Sequence, residues 1–537
     1  MTFPRTLHRY ILTELIKTFL LTAMALTIIL SLGGGVMNMI KLGEVTPDQL
    51  FTLLILVLPV SAALTLPMAA LFASAATYGR MAADNEFVAC RSGGINIITL
   101  FLPAAGLSAF AAVVTFAFSS FVIPGMIRNL NELIGADLGA IIQQRLNRPR
   151  GLTLGGPYRI FADQTRIDAS RPDFISLERV AFLEVDGEEW VKYGTAKEVR
   201  LDFTREDNRI RVSGTMIGPS FYDRRDRRFA ELGETGFAPY SLDTLVPPEI
   251  KFLTLGGLWH FRAHPQEWNE VAARIQKLRD AAGRQEMYEE LLTDWKKDQE
   301  LKLSDARTEL SVRAKDCVLA PRSGGLECVG LVVEERRSGR DQGSGHERRF
   351  TAERGAIEAV RGDTLADSSL ALTVYELEET FRDGVQKKPK DTLGPVRLDP
   401  GMVMRLQSVS DDALLAGAAP GSKDEAVEKA REEAFRWRRD VVLRIIATIH
   451  ERFAFSLSIP VLVILGTALA IIMRGSHVLT AFGVSFLPAI AVIITIVMGK
   501  QLAQNAVSHH LGLAVLWSGV GLVVLLDVVT LTRWLRR

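Results

Sequence analysis

Apolar residues crowd the two ends of this chain and thin out in its middle. Three apolar runs, at 19–40, 50–77 and 95–123, precede a long polar region, and three more, at 455–473, 478–498 and 511–529, follow it. Each is close to or above the roughly 20 residues that a helix needs to cross the hydrocarbon core of a bilayer. The pattern predicts six membrane spans, three plus three. Lys and Arg gather on the cytoplasmic side of such spans. Arg5 and Arg9 precede the first span, Arg80 and Arg91 lie between the second and third, Arg474 between the fourth and fifth, and Arg533, Arg536 and Arg537 close the chain. A six-span count puts all four groups on one side. The termini and the loop around Arg80 are therefore expected in the cytoplasm, and residues 124 to about 444 outside.

Pro59 and Pro67 interrupt the second run and Gly33-Gly34-Gly35 the first. In lipid the backbone groups freed by such breakers must find partners on neighbouring helices, so packed spans are implied. Bending at a gate and plain close packing both fit. The polar interruption at 78–95 has helical spacing: Arg80, Asp84 and Arg91 can share one side, Met81, Phe87, Val88 and Cys90 fall largely on others, and Ser92-Gly93-Gly94 stops the helix. A short helix over about 80–92 is expected. It reads either as an element that passes movement from a soluble partner into the bilayer or as an amphipathic connector on the headgroups.

The polar region opens with a helical continuation at 128–145 and then turns β-like. Short segments rich in β-branched and aromatic residues, at 158–162, 180–185, 196–203, 210–216 and 250–253, suggest a sandwich or jelly roll. From 264 to 315 the period changes. Trp268, Val271, Ile275, Leu278 and Ala282, then Tyr288, Leu291 and Trp295 after Gly283, predict two helices, with an antiparallel hairpin as one arrangement. A second β-rich stretch covers 316–420 and echoes the first, either by internal duplication or as the other half of one split domain. Ser422 and Glu425 have the spacing of a capping box and start a charged helix that leads into the fourth span. The expected division is 1–124 (spans and the 80–92 helix), 125–263 (β-jelly roll), 264–315 (helical insertion), 316–420 (second β-rich segment) and 421–537 (linker helix and spans).

Composition refines this picture. With 48% hydrophobic and 23% charged residues, the chain suits a polar domain set between groups of spans, and a net charge of +1 argues against a globally basic nucleic-acid binder. Its three cysteines, Cys90, Cys317 and Cys328, form no metal pattern. Cys317 and Cys328 can pair in an oxidising compartment, or stand as two buried thiols. Arg5, His8 and Arg9 precede an apolar run too long for a cleavable signal core. No phosphate-binding loop, nucleophile elbow or paired metal-ligand motif occurs, Gly499-Lys500-Gln501 lacking both the upstream glycine and the hydroxyl. No cofactor is expected. Asp527 in the sixth span is a candidate proton or interhelix site, although its place near the cytoplasmic end favours simple access to water. His509 and His510 read as an interface, Glu14 and Lys17 as interfacial anchors.

Several stretches carry a family resemblance: Arg9-Tyr10 through Phe19; Leu58-Pro59 with Leu66-Pro67-Met68; Gly79-Arg80-Met81 followed by Glu86 and the Ser92-Gly93 stop; and His450-Glu451-Arg452-Phe453-Ala454 with Pro460. Together they resemble the lipopolysaccharide export permeases of the LptF/LptG (YjgP/YjgQ) family over about 1–260 and 440–537, with the proline of the last motif set further from its basic residue than usual. The region at 264–430 has no counterpart in the usual shorter members. The resemblance implies a helical membrane protein with an extracytoplasmic β-jelly roll. It implies an inner-membrane permease subunit rather than an enzyme, powered by a cytoplasmic ABC ATPase dimer, paired with a homologous permease or a second copy of itself, and passing lipopolysaccharide or a related lipid to a periplasmic jelly-roll bridge protein. It makes Glu86 the ATPase-coupling acid, with Arg80, Asp84, Phe87 and Arg91 around it. Lys41, at the outer end of the first span, matches the family's basic lipid-binding position, and Arg128 is a second candidate; each also fits a snorkelling anchor. Two other readings remain: a membrane-anchored periplasmic assembly or sensor protein without transport, and an ion-coupled transporter using Asp527.

Overall fold

The computed structural model describes residues 5–36, 47–136, 152–153, 158–168, 171–186, 189–206, 209–224, 228–231, 233–243, 249–304, 308–320, 325–337, 346–360, 369–381, 384–397, 408–417, 425–473 and 478–535. They divide into two compact units, Met1–Trp259 with Ile446–Arg537, and His260–Ile445.

In the first unit, helix α1 (Arg5–Leu30) widens into a π-helical turn at Ser31–Val36. Gly33-Gly34-Gly35 falls in this turn: residues without a Cβ tolerate its looser geometry, so the breaker widens the helix instead of ending it. Helix α2 (Pro47–Ala83) keeps both Pro59 and Pro67 within one 37-residue element. A buried hydroxyl pair, Thr27 Oγ1 to Thr65 Oγ1 at 2.7 Å, joins α1 to α2 two residues before Pro67, supplying polar partners where lipid has none. Next come α3 (Glu86–Ser92), α4 (Ile97–Ala117), a second π turn at Phe118–Val122, and α5 (Ile123–Ala136). Of the helical continuation expected to Arg145, residues 137–145 lie outside the described set.

Antiparallel strands β1 (Leu152–Thr153), β2 (Tyr158–Asp168), β3 (Arg171–Asp186), β4 (Glu189–Glu206), β5 (Arg209–Ile217), β6 (Ser220–Asp223), β7 (Arg228–Glu231) and β8 (Glu234–Asp243) form one sheet in the order β1-β2-β3-β4-β5-β8, with β6 on β4 and β7 on β6. Its inner face is set by alternation: Ile175, Leu177, Val199 and Leu201 are buried. Gly194 stands opposite Phe182, whose ring occupies the space a Cβ would need, 2.1 Å from it. The segment at 250–253 is not a strand. Ile250–Phe252 is a 3₁₀ turn, because the carbonyls of Lys251 and Leu253 are taken by the Arg452 side chain and not by a sheet partner.

Helix α6 (Leu255–Ala263) leads into the second unit, where α7 (Asn269–Asp298) is one continuous helix of 30 residues. The two helices expected over 264–315 are thus one helix followed by strands. Gly283 does not break it because it is buried, and both apolar stripes lie on the same helix. Arg279 on the first half pairs with Asp411 in α8 (Asp411–Ala416), and Arg274 reaches Glu433 at 3.1 Å in α9 (Glu425–Ile472). Met287, Tyr288, Leu291 and Trp295 on the second half share a core with the sheet that follows.

That sheet comprises β9 (Glu300–Ser304), β10 (Thr308–Arg313), β11 (Asp316–Leu319), β12 (Leu326–Arg337), β13 (His346–Val360), β14 (Ser369–Phe381) and β15 (Gly384–Arg397) in the order β15-β14-β13-β12-β10-β9, with β11 on β12. The two β-rich stretches thus form separate sheets, one in each unit. Cys317 and Cys328 face each other across β11 and β12 and are disulfide-bonded.

Helix α9 continues into the first unit, followed by α10 (Val478–Ala503) and α11 (His509–Leu535). The backbones of α10 and α11 nearly touch. A Cβ on Gly499 would lie 2.4 Å from the backbone nitrogen of Leu516, and one on Gly512 2.2 Å from that of Ala503, so only glycine allows the approach. Among the described residues six helices are long and apolar enough to cross a membrane, within Arg5–Gly33, Val57–Ala83, Ile98–Asn129, Glu425–Ile472, Gly483–Ala503 and His509–Arg533. Residues 422–424 of the expected capping box lie outside the described set.

Candidate functional site

The loop between the second and third spans is built differently from the single helix expected over 80–92. Helix α2 carries Arg80 in its last turn, the chain reverses at Asp84 and Asn85, and α3 starts at Glu86. Asn85 adopts φ 57°, a left-handed conformation that asparagine tolerates better than most residues, so the helix breaks there. As a result Arg80 and Arg91 lie on different helices. Arg80 instead pairs with Glu14 of α1 at 3.0 Å, which makes Glu14 a link to the loop. Glu86 is half-buried in the first turn of α3, while Asp84 and Arg91 are exposed.

Phe87 is only 3% exposed and belongs to the bundle core with Ile11, Leu15, Met81 and Leu100, whereas Val88 beside it is 44% exposed. Phe87 holds α3 down and Val88 is presented outward. Two long-range ties brace the junction: Tyr78 donates its hydroxyl to the carbonyl of Leu100 at 2.5 Å, and the His8 ring lies 2.8 Å from the carbonyl of Thr99. At the far end of α3 the Ile95 amide donates to the carbonyl of Cys90 at 3.1 Å across Gly94, which takes φ 81°, and the Asn96 side chain caps α4. The turn from Asp84 to Glu86 is therefore an exposed tip on a firmly seated short helix.

A second constellation lies in the His450-Glu451-Arg452 motif, three successive polar residues in an otherwise apolar span. Each is tied to a different element. His450 Nδ1 accepts from Trp517 Nε1 of α11 at 3.1 Å, Glu451 pairs with Lys500 of α10 at 2.6 Å, and Arg452 donates to the carbonyls of Lys251 and Leu253 at 3.0 and 2.8 Å. Arg452 is 5% exposed, and a buried guanidinium is tolerable only with such acceptors. The roles of Lys500 and Trp517 were not readable from the chain, since their partners are distant in sequence. The motif itself was visible as charge inside an apolar run.

The remaining candidates separate. Asp527 is 7% exposed and continues the buried stripe of Leu516, Val520 and Val523 on α11. The ring of His509 meets the carbonyl of Ala503 at 2.6 Å and closes the α10–α11 turn. Arg128 is exposed on α5. Lys41 lies outside the described residues.

Six helices long and apolar enough to cross a membrane, one of them tying two others together, with antiparallel sheets between the two groups in sequence, define a multi-pass membrane protein. The chain matches the family model of the lipopolysaccharide export system permease LptF/LptG over residues 9–232 and 340–533, and it belongs to that family. It is accordingly a permease subunit and a multi-pass inner-membrane protein. The match resumes at 340, within the polar region and well before 440, so the segment foreign to the family pattern is 233–339, holding β8 to β12 with α6 and α7. No curated protein matches the chain.

Proposed function

We propose that the protein extracts lipopolysaccharide or a related amphiphile from the inner membrane and delivers it to a periplasmic β-jelly-roll bridge, driven by a separate cytoplasmic ABC ATPase dimer. The family match carries this reading. The α2–α3 tip is the coupling element. Glu86 accepts a charge-assisted hydrogen bond from a basic side chain of the ATPase, Val88 and Ala83 supply apolar contact, and Asp84 and Arg91 set orientation. The brace from Arg80 to Glu14 supports transmission, since a push on α3 reaches α1 as well as α2.

The partner permease is a homologue or a second copy of this chain. Lipid phosphates meet Lys41 and Arg128 at the outer ends of the spans. The Cys317–Cys328 disulfide supports an oxidising, periplasmic setting for the second unit. Transfer to the bridge is by strand addition at a sheet edge: among the described residues no strand pairs with β2 on its outer side beyond Ile160.

The test is co-purification of the protein from its native membrane, with mass identification of bound proteins and lipids, repeated with Glu86→Ala. An ATPase that is present with the parent and lost or strongly reduced with the variant supports the proposal. Retention of the ATPase by the variant removes Glu86 from the contact, and no ATPase with the parent favours a membrane anchor for a periplasmic domain.

A further inference from the structure

The second unit opens with three residues that no part of the transport reading uses. His260 lies in the last turn of α6, His264 directly follows that helix four residues on, and Glu267 follows in the 3₁₀ turn Pro265–Glu267. We infer that His260, His264 and Glu267 form a binding site for a divalent transition-metal ion of borderline softness, with Zn²⁺ the first candidate.

The geometry carries this. The ligand atoms of the three side chains all lie within 4.8 Å of one another, and all three residues are exposed. His260 Nε2 is 2.7 Å from Glu267 Oε2, and the two imidazoles stand with ring centroids 5.1 Å apart. Ligands bound at about 2.0–2.1 Å in a tetrahedral zinc site sit roughly 3.3 Å from each other. The closer pair therefore opens by a few tenths of an ångström and the others close by about 1.5 Å at most, shifts that exposed side chains make by rotation.

The backbone needs no rearrangement, because the turn is already set. His264 donates its amide to the carbonyl of His260 at 2.8 Å, and the Glu267 amide donates to the carbonyl of His264 at 3.2 Å. Pro265 and Trp268 are buried, and Trp268 stacks edge-on to Phe261 at 5.2 Å, which pins both ends of the turn. A hydrogen-bonded His–Glu pair alone would need only two of these groups. The third donor at the same point is what makes a chelate.

The donor set decides the ion. Two imidazoles and one carboxylate suit Zn²⁺, Ni²⁺ or Cu²⁺, while Ca²⁺ and Mg²⁺ prefer oxygen-only shells. The carbonyl end of α6 adds partial negative charge, and three protein ligands leave one position for water. The site lies in 233–339, the segment outside the family match, so it is a property of this chain's own insert. Its consequence is a stiffened connection between α6 and α7.

The experiment uses the full chain purified in detergent with a tag that contains no histidine, stripped with chelator and titrated with ZnCl₂ alone by calorimetry and with Co²⁺ by visible absorption. The expected result is one ion per chain, weakened by about tenfold or more in His264→Ala and in Glu267→Gln, with Co²⁺ bands of a four-coordinate site. His510→Ala should bind as the parent does. Far-UV circular dichroism of each metal-free variant, matching the parent, shows that loss of binding is not loss of fold. Stoichiometry well below one, full binding by a His260→Ala/His264→Ala double variant, or loss of binding in His510→Ala overturns the inference. None of these outcomes depends on the ATPase or on transport.

Discussion

Arg452 shows what a single buried charge does in this protein. One guanidinium nitrogen, Nη2, donates to the carbonyls of both Lys251 and Leu253 from the fourth span, so it fixes the 3₁₀ turn to α9. Arg452→Ala leaves two carbonyls without that donor, at about 1–3 kcal/mol for each one that stays buried. A lysine ammonium keeps charge and donors but on a shorter, differently shaped head that meets both carbonyls less well. Thermal unfolding in detergent should therefore rank the parent above Arg452→Lys and that above Arg452→Ala; an alanine variant that melts with the parent would remove the tie from the fold's support. Arg80 is the contrasting case. Its pair with Glu14 is partly exposed, and such pairs contribute roughly 0–1 kcal/mol. Arg80→Ala should melt within a degree or two of the parent while lowering the ATPase activity of the proposed complex, which separates coupling from folding. A large drop in melting temperature would mean that the pair is structural.

At the scale of elements, contacts between backbones and between like charges make sharp predictions. In the α10–α11 hairpin, Gly512→Val places new atoms against the backbone of Ala503, where no side chain can move aside, and should cost about 3 kcal/mol or more, seen as lost yield and a lowered melting temperature. Gly521→Ala, with nothing within 4 Å of its new methyl, is the matched control and should be neutral. In the second sheet the register pairs Ala352 with Leu377 and Arg354 with Tyr375, and between these pairs Glu353 of β13 interacts with Glu376 of β14. The hydrogen bond to Glu376 and its charge hold the Glu353 carboxyl above the usual carboxylate range, with Arg354 opposing weakly. The folded state keeps a proton that the unfolded chain has released. This contribution is therefore present below about pH 4.3 and is lost as the pH rises through the folded-state value. Amide exchange in β13 and β14 should slow in Glu376→Gln relative to the parent above that window and converge with it below; a constant ratio across pH would contradict the account. The spans were legible in the chain because lipid demands long apolar runs, and β3 to β5 because alternation marks a half-buried strand. The break at Asn85, the unbroken helix through Gly283 and the 3₁₀ turn at Ile250–Phe252 were not, since each is decided by partners far away in sequence: the core under Phe87, the sheet beneath α7, and the side chain of Arg452. The same limit hid the Glu14–Arg80 and Lys500–Glu451 pairs.

For the molecule as a whole, the decisive quantity is which side of the bilayer each end of the bundle faces, and the three cysteines report it. On the proposed reading the α2–α3 tip faces the cytoplasm and the second unit, with its Cys317–Cys328 disulfide, faces an oxidising compartment. Cys90 is the one free thiol, half-buried in α3, and burial together with the nearby Glu86 charge pushes it above the usual thiol range. Thiolate is the reactive form, so labelling of Cys90 is slow and needs alkaline buffer and long exposure. In intact cells an impermeant maleimide should leave Cys90 unmodified even then, and should modify it once the inner membrane is permeabilised. Cys317 and Cys328, 3% and 1% exposed, should resist the same reagent until a reductant is added, and should then react slowly, over long exposure, from the outside without permeabilising that membrane. Glu86→Gln removes the neighbouring charge and should speed the labelling of Cys90 after permeabilisation, which separates a thiol that is slow from one that is out of reach. Modification of Cys90 in intact cells would put the coupling tip on the wrong side for any ATP-driven partner, and the transport proposal would fail with it.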